Sequence, residues 1–495
     1  MTITIDQFHK LAKSNTGIVL SKQLVFDTST PLNVFNSFKS EKNVVFLEGV
    51  STHEQHSRYS YLAIDAHLSI ICEKTDYKII KNGQEKTVSG TVYDALESVL
   101  NSYKFSKDTP DFQAGLLGNL TYECIEHLEN ISMTSNRELD TPYAAFMLPK
   151  TILVFDRLYH SINICHSVFL EPDTNYNETV LTDLYNTGLK KIDSIIKKIE
   201  TTDKIEPVFL LNSIKNYDKI NYSCNISKEK FLNNVKKCLN YIKNGDIFQI
   251  QVSRRAAIKY SNDPFHLYRY LRNFNPSPLL FNIKLANYQL IGASPEILVN
   301  VSNNTMSIRP IAGTRKRYSS TKTESEIIQE LQTDDKEKAE HIMLVDLARN
   351  DVGRACVGNS VTVNQLMGIE KYAHVIHMVS DVSGKLKPNL TSIDALKYGF
   401  PAGTVTGTPK IRAMEIISEL ETCQREFYSG GVVFFDFNQN LKSALSIRTI
   451  CIKDKIAYTQ AAGGVVADSI PEMEFKETEN KMRSSLSAMA QFGDV

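Results

Sequence analysis

Two kinds of hydrophobic pattern divide this chain and limit the folds open to it. Before residue 198, strand-like runs such as NVVFLEGV, RYSYLAID and KTILVFDRLYHSINIC alternate with polar turns, and helical patterns are fewer. After residue 223, strands such as LIGASPEILVNVS and ALSIRTICIKD lie between amphipathic helices. Alternation within strands favours antiparallel sheets. We therefore predict an α+β fold with large, mostly antiparallel sheets, and not a doubly wound parallel fold.

The change of pattern coincides with a polar segment. A predicted helix from about Asn177 to Ile199 is followed by the charged, Asn-containing stretch 198–223, which Pro207 interrupts. We predict two domains, 1–215 and 216–495, the second carrying the chemistry.

Composition excludes several classes of function. The 495 residues are 42% hydrophobic, and 56 Lys and Arg balance 56 Asp and Glu, without a basic stripe of the kind that binds nucleic acid. No apolar run approaches the roughly 18 residues that span a membrane. The eight cysteines are scattered, which predicts reduced, structural thiols. We expect a soluble cytoplasmic protein.

Two pairs of glutamates point to a metal site. Glu337 with Glu340, and Glu474 with Glu477, have three-residue spacing in segments that read as the starts of helices, so each pair shares a helix face. Alone, such pairs are more often solvated helix faces. If the two faces converge, however, four carboxylates require protons or a hard cation such as Mg²⁺.

Ordered sequence blocks from about residue 221 to the C-terminus resemble those of a known family. They read NGDIFQIQVSRR, NPSPLLF, IGASPEILV, IRPIAGTRKR, EKAEH, HVIHMVSDVSG, FPAGTVTGTPKIRAMEII, ALSIRT and PEMEFKETENK. These blocks are similar to those of the chorismate-utilising enzymes and, among them, the large subunits of anthranilate synthases. FLEGV, RYSYLAID and AGLLGNLTYE match more weakly. The resemblance implies a two-domain α+β sandwich.

The resemblance also implies roles for individual residues. Glu340 and Glu477 would hold Mg²⁺ directly, and Glu337 and Glu474 would contact its waters. Arg448 would bind a substrate carboxylate. The other implied substrate-contacting or catalytic residues are Gly463, Gly464, Ala312, Gly313, Thr314, Lys410, Phe434, Thr404, Gln249, Glu296 and His377.

Loss of the C4 hydroxyl of chorismate needs a general acid. His377, with Glu296 beside it, fits that role by resemblance, and His374 is a rival three residues earlier. Taken alone, either histidine is more often simply packed or solvent-facing.

Two positions indicate the reaction type. Relatives that add water at C2 carry a lysine base where this chain has Gln249, and relatives that make the para isomer carry a lysine nucleophile where it has Ala312. The site therefore suits ammonia, which needs no base, and the expected product is anthranilate after loss of pyruvate. No cysteine lies in a GxCxG turn of the glutamine amidotransferase kind, so a separate subunit would supply the ammonia.

Some residues depart from the family pattern. Phe434 replaces an aligned carboxylate-binding tyrosine, and Ala462 replaces a glycine. The implied tryptophan feedback site comprises Glu48, Gly49, Asn275, Pro276, Ser277, Pro278, Leu279 and Leu280. Because Gly49, Leu279 and Leu280 are altered, we expect tryptophan to bind with reduced affinity. Two alternatives stay open: an aminodeoxyisochorismate-type or other aminodeoxychorismate-type synthase, and a non-catalytic relative that binds tryptophan or chorismate.

Overall fold

The computed structural model describes residues 3–49, 58–171, 174–202, 205–206, 220–275, 277–318, 321–371 and 375–493. Its helices are α1 (Ile5–Ala12), α2 (Pro31–Phe38), α3 (Val92–Ser102), α4 (Glu178–Glu200), α5 (Lys228–Lys243), α6 (Pro264–Phe274), α7 (Glu324–Thr333), α8 (Asp335–Ala355), α9 (Ser392–Gly399), α10 (Lys410–Leu420) and α11 (Pro471–Phe492).

The strands are β1 (Gly17–Val25), β2 (Val44–Glu48), β3 (Tyr59–Cys72), β4 (Asp76–Lys81), β5 (Gln84–Ser89), β6 (Gly115–Leu120), β7 (Ala144–Asp156), β8 (Ser161–Phe169), β9 (Ser223–Cys224), β10 (Gln249–Lys259), β11 (Leu279–Leu285), β12 (Tyr288–Ser294), β13 (Asn300–Ser302), β14 (Thr305–Ile308), β15 (Ile311–Lys316), β16 (Thr362–Lys371), β17 (Val375–Lys385), β18 (Gly407–Thr408), β19 (Gly431–Asp436), β20 (Leu441–Leu445), β21 (Thr449–Lys453) and β22 (Ile456–Val465).

Two long strands, β3 and β7, connect two antiparallel sheets. They pair from Tyr59 opposite Asp156 to Cys72 opposite Ala144, and their register shifts between Ala66 and Leu68. The first part of β3 and its partners join the order β1-β8-β7-β3-β2-β11-β12-β21-β22-β10, which we call sheet 1. The second part joins β5-β4-β3-β7-β6-β19-β20-β13-β14-β17, which we call sheet 2. The strands β15 and β16 pair with β17 at the end of sheet 2.

Alternation along the strands fills three apolar layers. On β3, Tyr61 and Ala63 lie in a cluster that contains residues of both sheets, whereas Leu62 and Ile64 lie in a cluster with α1, α2, α4, α6 and α11. A third cluster packs sheet 2 against α3, α8 and α9. The two sheets therefore enclose a core, and helices cover their outer faces. The predicted α+β class with large antiparallel sheets is confirmed.

Strands on either side of the predicted domain boundary pair with one another. Strand β2 pairs with β11, and β6 pairs with β19. Residues 207–219, which contain that boundary, lie outside the described residues. The division at residue 215 therefore stays a prediction.

Other expectations from the sequence can be compared with the fold. The helix expected at 177–199 is α4, Glu178–Glu200. Asn350 and Gly353 have low helix propensity, yet α8 continues through them to Ala355, because Val352 and Ala355 are fully buried and their packing outweighs that propensity. The cysteines are free thiols, as expected. Within the described ranges, every helix is too short or too polar to cross a lipid bilayer.

Candidate active site

A cavity of about 480 Å³ lies where the first turns of α8 and α11 meet strands of both sheets. Strands β10 and β22 bound one side, and β15 and β17 bound another. Twelve of the residues expected to act in catalysis, substrate binding or metal binding line this cavity: Gln249, Glu296, Ala312, Gly313, Glu337, Glu340, His377, Thr404, Arg448, Gly464, Glu474 and Glu477. Residues far apart in the sequence thus come together in the predicted combination.

Both glutamate pairs lie near helix starts. The Asp334 carboxylate accepts hydrogen bonds from the backbone N–H groups of Lys336 and Glu337, which fixes the first turn of α8. Pro471 occupies the first turn of α11, where its missing N–H costs nothing. Three-residue spacing then places each pair on one helix face, and both faces line the same cavity.

The carboxylates perturb one another. Burial and the neighbouring charges of Glu337 and Glu477 raise the pKa of Glu340. Burial and the neighbouring Glu477 carboxylate also raise the pKa of Glu474. The Lys481 ammonium lies 2.6 Å from Glu477 and favours its ionised form. The negative charge of the carboxylates in the cavity therefore exceeds the positive charge of the lysine and arginine side chains that line it.

The donor atoms suit a hard divalent cation. Glu474 Oε2 and Gln249 Oε1 are buried and find no hydrogen-bond partner among the described residues, and oxygen ligands of this kind are those that Mg²⁺ prefers. The described residues contain no preassembled group of three or more metal-ligating side chains. The Arg315 guanidinium lies 2.6 Å from the Glu337 carboxylate, and the Lys481 ammonium forms an ion pair with Glu477. Metal binding would therefore require these two carboxylates to exchange a cationic side chain for the ion.

Arg448 has a backbone conformation that few non-glycine residues adopt. Its φ is 52°, in the left-handed region, at the end of the tight connection between β20 and β21. The guanidinium lines the cavity, and its Nη1 donates to the Lys481 carbonyl oxygen at 2.7 Å. Non-glycine residues with such backbone strain concentrate at functional sites. The remaining N–H groups can fork onto a carboxylate.

The two glycines of β22 allow close packing at the cavity wall. A Cβ at Gly463 would lie 3.1 Å from the Glu474 side chain, and a Cβ at Gly464 would lie 2.9 Å from Gln251 Nε2. Gly464 lines the cavity, whereas Gly463 supports the start of α11. A side chain at either position would displace groups that form the site.

Burial shifts the pKa values of the two candidate proton donors, His377 and Glu296, in opposite directions. Burial lowers the pKa of His377 to about 4, and its ring hydrogen-bonds the backbone of Gly313. Burial raises the pKa of Glu296 to about 7, and Thr404 Oγ1 donates to Glu296 Oε1 at 2.6 Å. Near neutral pH, His377 is therefore neutral, while a large fraction of Glu296 carries a proton. Glu296 fits the general acid better than His377, whose expected role the electrostatics do not favour.

Some expected site residues lie elsewhere. Lys410 Nζ lies 2.8 Å from Asp351 Oδ2 and lines a different cavity. Phe434 is fully buried between the two sheets, with its ring centroid 5.4 Å from that of Tyr61, because alternation on β19 turns it away from the active-site cavity. The side chain of Thr314 and all of His374 lie outside the described residues.

Several residues that line the cavity were not predicted from the sequence. Tyr428 carries a phenol there, and its hydroxyl group hydrogen-bonds the backbone of Ala462. Burial raises the Tyr428 pKa to about 12, so the phenol stays neutral and can donate to an anion. Lys481 follows Glu477 by four residues, a spacing that could have identified it as a helix-face partner. Gln251, Gln460, Ser469 and Lys336 complete the missed polar lining.

A second cavity lies beside the core between the sheets. Its lining includes four residues of the expected tryptophan site, Glu48, Gly49, Leu279 and Leu280. Three others, Asn275, Ser277 and Pro278, are not part of that lining, and the Ser277 hydroxyl donates to the Ala293 carbonyl at 3.0 Å. Pro276 lies outside the described residues.

Comparisons with known proteins show the family of this chain. The sequence profile of the family described as chorismate binding enzyme matches residues 50–487. The chain is 38% identical over 99% of its length to "Anthranilate synthase component 1" of Acetivibrio thermocellus, covering 99% of that protein. It is 36% identical over 91% of its length to the protein of the same name in Saccharomyces cerevisiae, covering 86% of it.

Among solved structures, anthranilate synthase component I from Streptococcus pneumoniae TIGR4 is similar, with a TM-score of 0.72 and 32% identity. The match covers 94% of this chain and 98% of that one. The chain therefore belongs to the chorismate binding enzyme family.

Proposed function

We propose that this chain is the large subunit of an anthranilate synthase. It would join ammonia to C2 of chorismate, release the C4 hydroxyl as water and eliminate pyruvate to give anthranilate, the first committed step of tryptophan biosynthesis. The observation that carries the proposal is a single cavity that combines two glutamate pairs and Arg448 with the neutral residues Gln249 and Ala312. Relatives called anthranilate synthase component 1 match nearly the whole chain, which supports it.

The two carboxylates of chorismate need separate cationic partners. Arg448 would fork onto one of them, and the Tyr428 hydroxyl lies in the same cavity as a further donor. Glu340 and Glu477 would hold Mg²⁺ directly, with Glu337 and Glu474 contacting its waters. When bound, the ion would neutralise the other carboxylate and stabilise developing negative charge. Burial and the charges of Glu337 and Glu477 raise the pKa of Glu340, and a bound cation would compensate its ionised carboxylate.

Proton transfer would release the C4 hydroxyl. A protonated Glu296 donates to the departing oxygen, and Thr404 orients that carboxyl group. As the C4–O bond breaks, the nitrogen lone pair of ammonia forms the C2–N bond and the ring double bonds shift. Loss of the C2 proton with cleavage of the C3–O bond then yields pyruvate and the aromatic ring. His377, which is neutral because burial lowers its pKa, would act as a hydrogen-bonding group of the cavity and not as the proton donor.

The ammonia would come from a separate glutamine amidotransferase subunit. The cysteines here are buried or half-buried, and burial raises the pKa of the most exposed one, Cys224, so a reactive thiolate is disfavoured. The "component 1" in the names of the relatives also supports a heteromeric enzyme.

We place this chain in the cytoplasm and propose that it has two domains, 1–215 and 216–495. We also propose tryptophan as a weak inhibitor that binds in the second cavity.

The test is anthranilate fluorescence from the purified chain with chorismate, Mg²⁺ and an ammonium salt at alkaline pH, which needs no partner subunit. We expect fluorescence to appear, to vanish with EDTA and to be lost in Arg448→Met. Arg412→Met, which removes an arginine outside the cavity, is the matched control. Unchanged chorismate would refute the proposal and favour a binding-only relative. An aminated, non-aromatic product would instead identify an aminodeoxyisochorismate-type synthase.

A further inference from the structure

The face of α8 that carries Glu337 and Glu340 continues along the helix. Leu344, Ala348 and Asp351 follow Glu340 at spacings of four, four and three residues, so they share that face. Leu344 lines the active-site cavity, whereas Asp351 lines a third cavity, of about 480 Å³. One helix face therefore runs from the glutamate pair to a buried carboxylate that has no part in the mechanism proposed above.

A cavity of about 30 Å³, which we call the small cavity, adjoins both larger ones. Glu296 and Thr404 line the small cavity and the active-site cavity, and Asp351 lines the small cavity and the third cavity. Among the described residues of its lining, only these three carry polar side chains. Since one water needs about 10–15 Å³, the small cavity has room for about two waters that these side chains can hydrogen-bond.

Asp351 lies between the small cavity and solvent. Its carboxylate is 2.8 Å from the Lys410 ammonium, and the third cavity reaches the surface at the exposed residues Asn350 and Arg354. Burial raises the pKa of Asp351, while Lys410 and Arg354 oppose that effect. Arg354 in turn lies 3.8 Å from Glu129. Asp351 can therefore take up a proton from one cavity and release it into the other.

The general acid needs such a supply. Glu296 gives one proton to the departing C4 oxygen and must regain one before the next turnover. The Lys481 ammonium favours the ionised form of Glu296 and so opposes that return. The small cavity cannot admit chorismate, so it stays open to water while substrate fills the active-site cavity.

We propose that Asp351 returns protons to Glu296 through water in the small cavity. An O–H bond of Asp351 breaks as one forms on Glu296, and solvent in the third cavity then protonates Asp351 again. Ammonia loses one proton as it becomes the amino group, so the reaction as a whole consumes none. This inference rests on the catalytic role proposed for Glu296. Asp351 does not contact substrate and acts through Glu296.

The test is steady-state anthranilate formation by the full-length chain with chorismate, Mg²⁺ and ammonium near neutral pH. Asp351→Asn keeps the shape of the side chain but cannot carry a proton. Its kcat should fall about 10- to 100-fold, while KM for chorismate and for ammonium stays within about twofold of wild type. Imidazole, which fits the third cavity and carries a proton, should restore turnover. Pyrazole, a much weaker base of similar shape, should not.

A second variant leaves the ion pair of Asp351 and Lys410 intact. Ala348→Val adds two methyl groups at the small cavity, which should exclude water and lower kcat about 10-fold or more. Deuterium oxide should slow both variants more than it slows wild type. Asp346→Asn, on the exposed face of α8, is the matched control and should turn over as wild type does. Thermal melts would check that all variants are folded.

Wild-type kcat in folded Asp351→Asn or Ala348→Val would overturn the inference. A loss of kcat in Asp351→Asn that imidazole does not relieve would also overturn it, because a purely structural defect behaves in that way. In either case, anthranilate formation by wild type would show that the catalytic proposal stands. Wild type that forms no anthranilate would overturn the catalytic proposal and this inference together.

Discussion

Replacing Glu296 with glutamine should stabilise the protein at alkaline pH while removing its activity. Burial raises the pKa of this carboxyl group from 4.5 to about 7, and the Thr404 hydroxyl donates a hydrogen bond to it. The side-chain carbonyl of glutamine can still accept that bond. The substitution therefore removes a buried charge with little change in shape.

The raised pKa of Glu296 determines the direction and size of the change in the free energy of unfolding. Between pH 4.5 and 7 the folded state binds the proton that the unfolded state has lost, so the free energy of unfolding falls as pH rises through this range. The full penalty, present above pH 7, is about 3 kcal/mol. Glu296→Gln should therefore match wild type near pH 4.5 and exceed its stability by about 3 kcal/mol at pH 8.

Urea unfolding followed by circular dichroism at several pH values would measure this difference. Turnover of chorismate with ammonium should fall at least about 100-fold in the same variant, because the departing hydroxyl loses its proton donor. Glu85→Gln, on the exposed strand β5, is a matched control and should follow the wild-type profile. A stability difference that does not change with pH, or a variant that retains full turnover, would refute the reasoning.

Three further variants test other parts of the site. Glu340→Gln should abolish metal-dependent anthranilate formation yet melt no lower than wild type without metal, because the substitution relieves repulsion from Glu337 and Glu477; calorimetric melting and steady-state assays would measure both. Arg448→Lys should lower kcat/KM for chorismate about 10- to 100-fold in steady-state assays, because lysine lacks the planar fork. Arg425→Met should destabilise the fold by about 3–5 kcal/mol in urea unfolding, because it strands the buried Glu421 carboxylate, now 2.8 Å from Arg425 Nη2.

Local patterns made much of the fold predictable. The alternation of Tyr61 and Ala63 with Leu62 and Ile64 identifies a strand with two buried faces. The pairing of β2 with β11 and of β6 with β19 joins strands separated by more than 200 residues, and no local pattern encodes it. The class was therefore predictable, whereas the strand order was not.

The candidate site shows the same limit. The spacing within each glutamate pair predicts a shared helix face, but only the resemblance suggested that the two pairs meet. Tyr428 and Phe434 are aromatic residues of one short segment, and their positions in the fold decide which of them lines the cavity. The resemblance implied that Lys410 contacts substrate, and the sequence does not reveal its ion pair with Asp351.

The most direct test of the central claim is the fate of nitrogen and pyruvate in one reaction. Chorismate, Mg²⁺ and ¹⁵N-ammonium would be incubated with the purified chain, and the products would be analysed by mass spectrometry with an enzymatic pyruvate assay. The account predicts anthranilate that carries one ¹⁵N atom, formed together with an equal amount of pyruvate. Isochorismate, an unlabelled product or labelled product without pyruvate would contradict it.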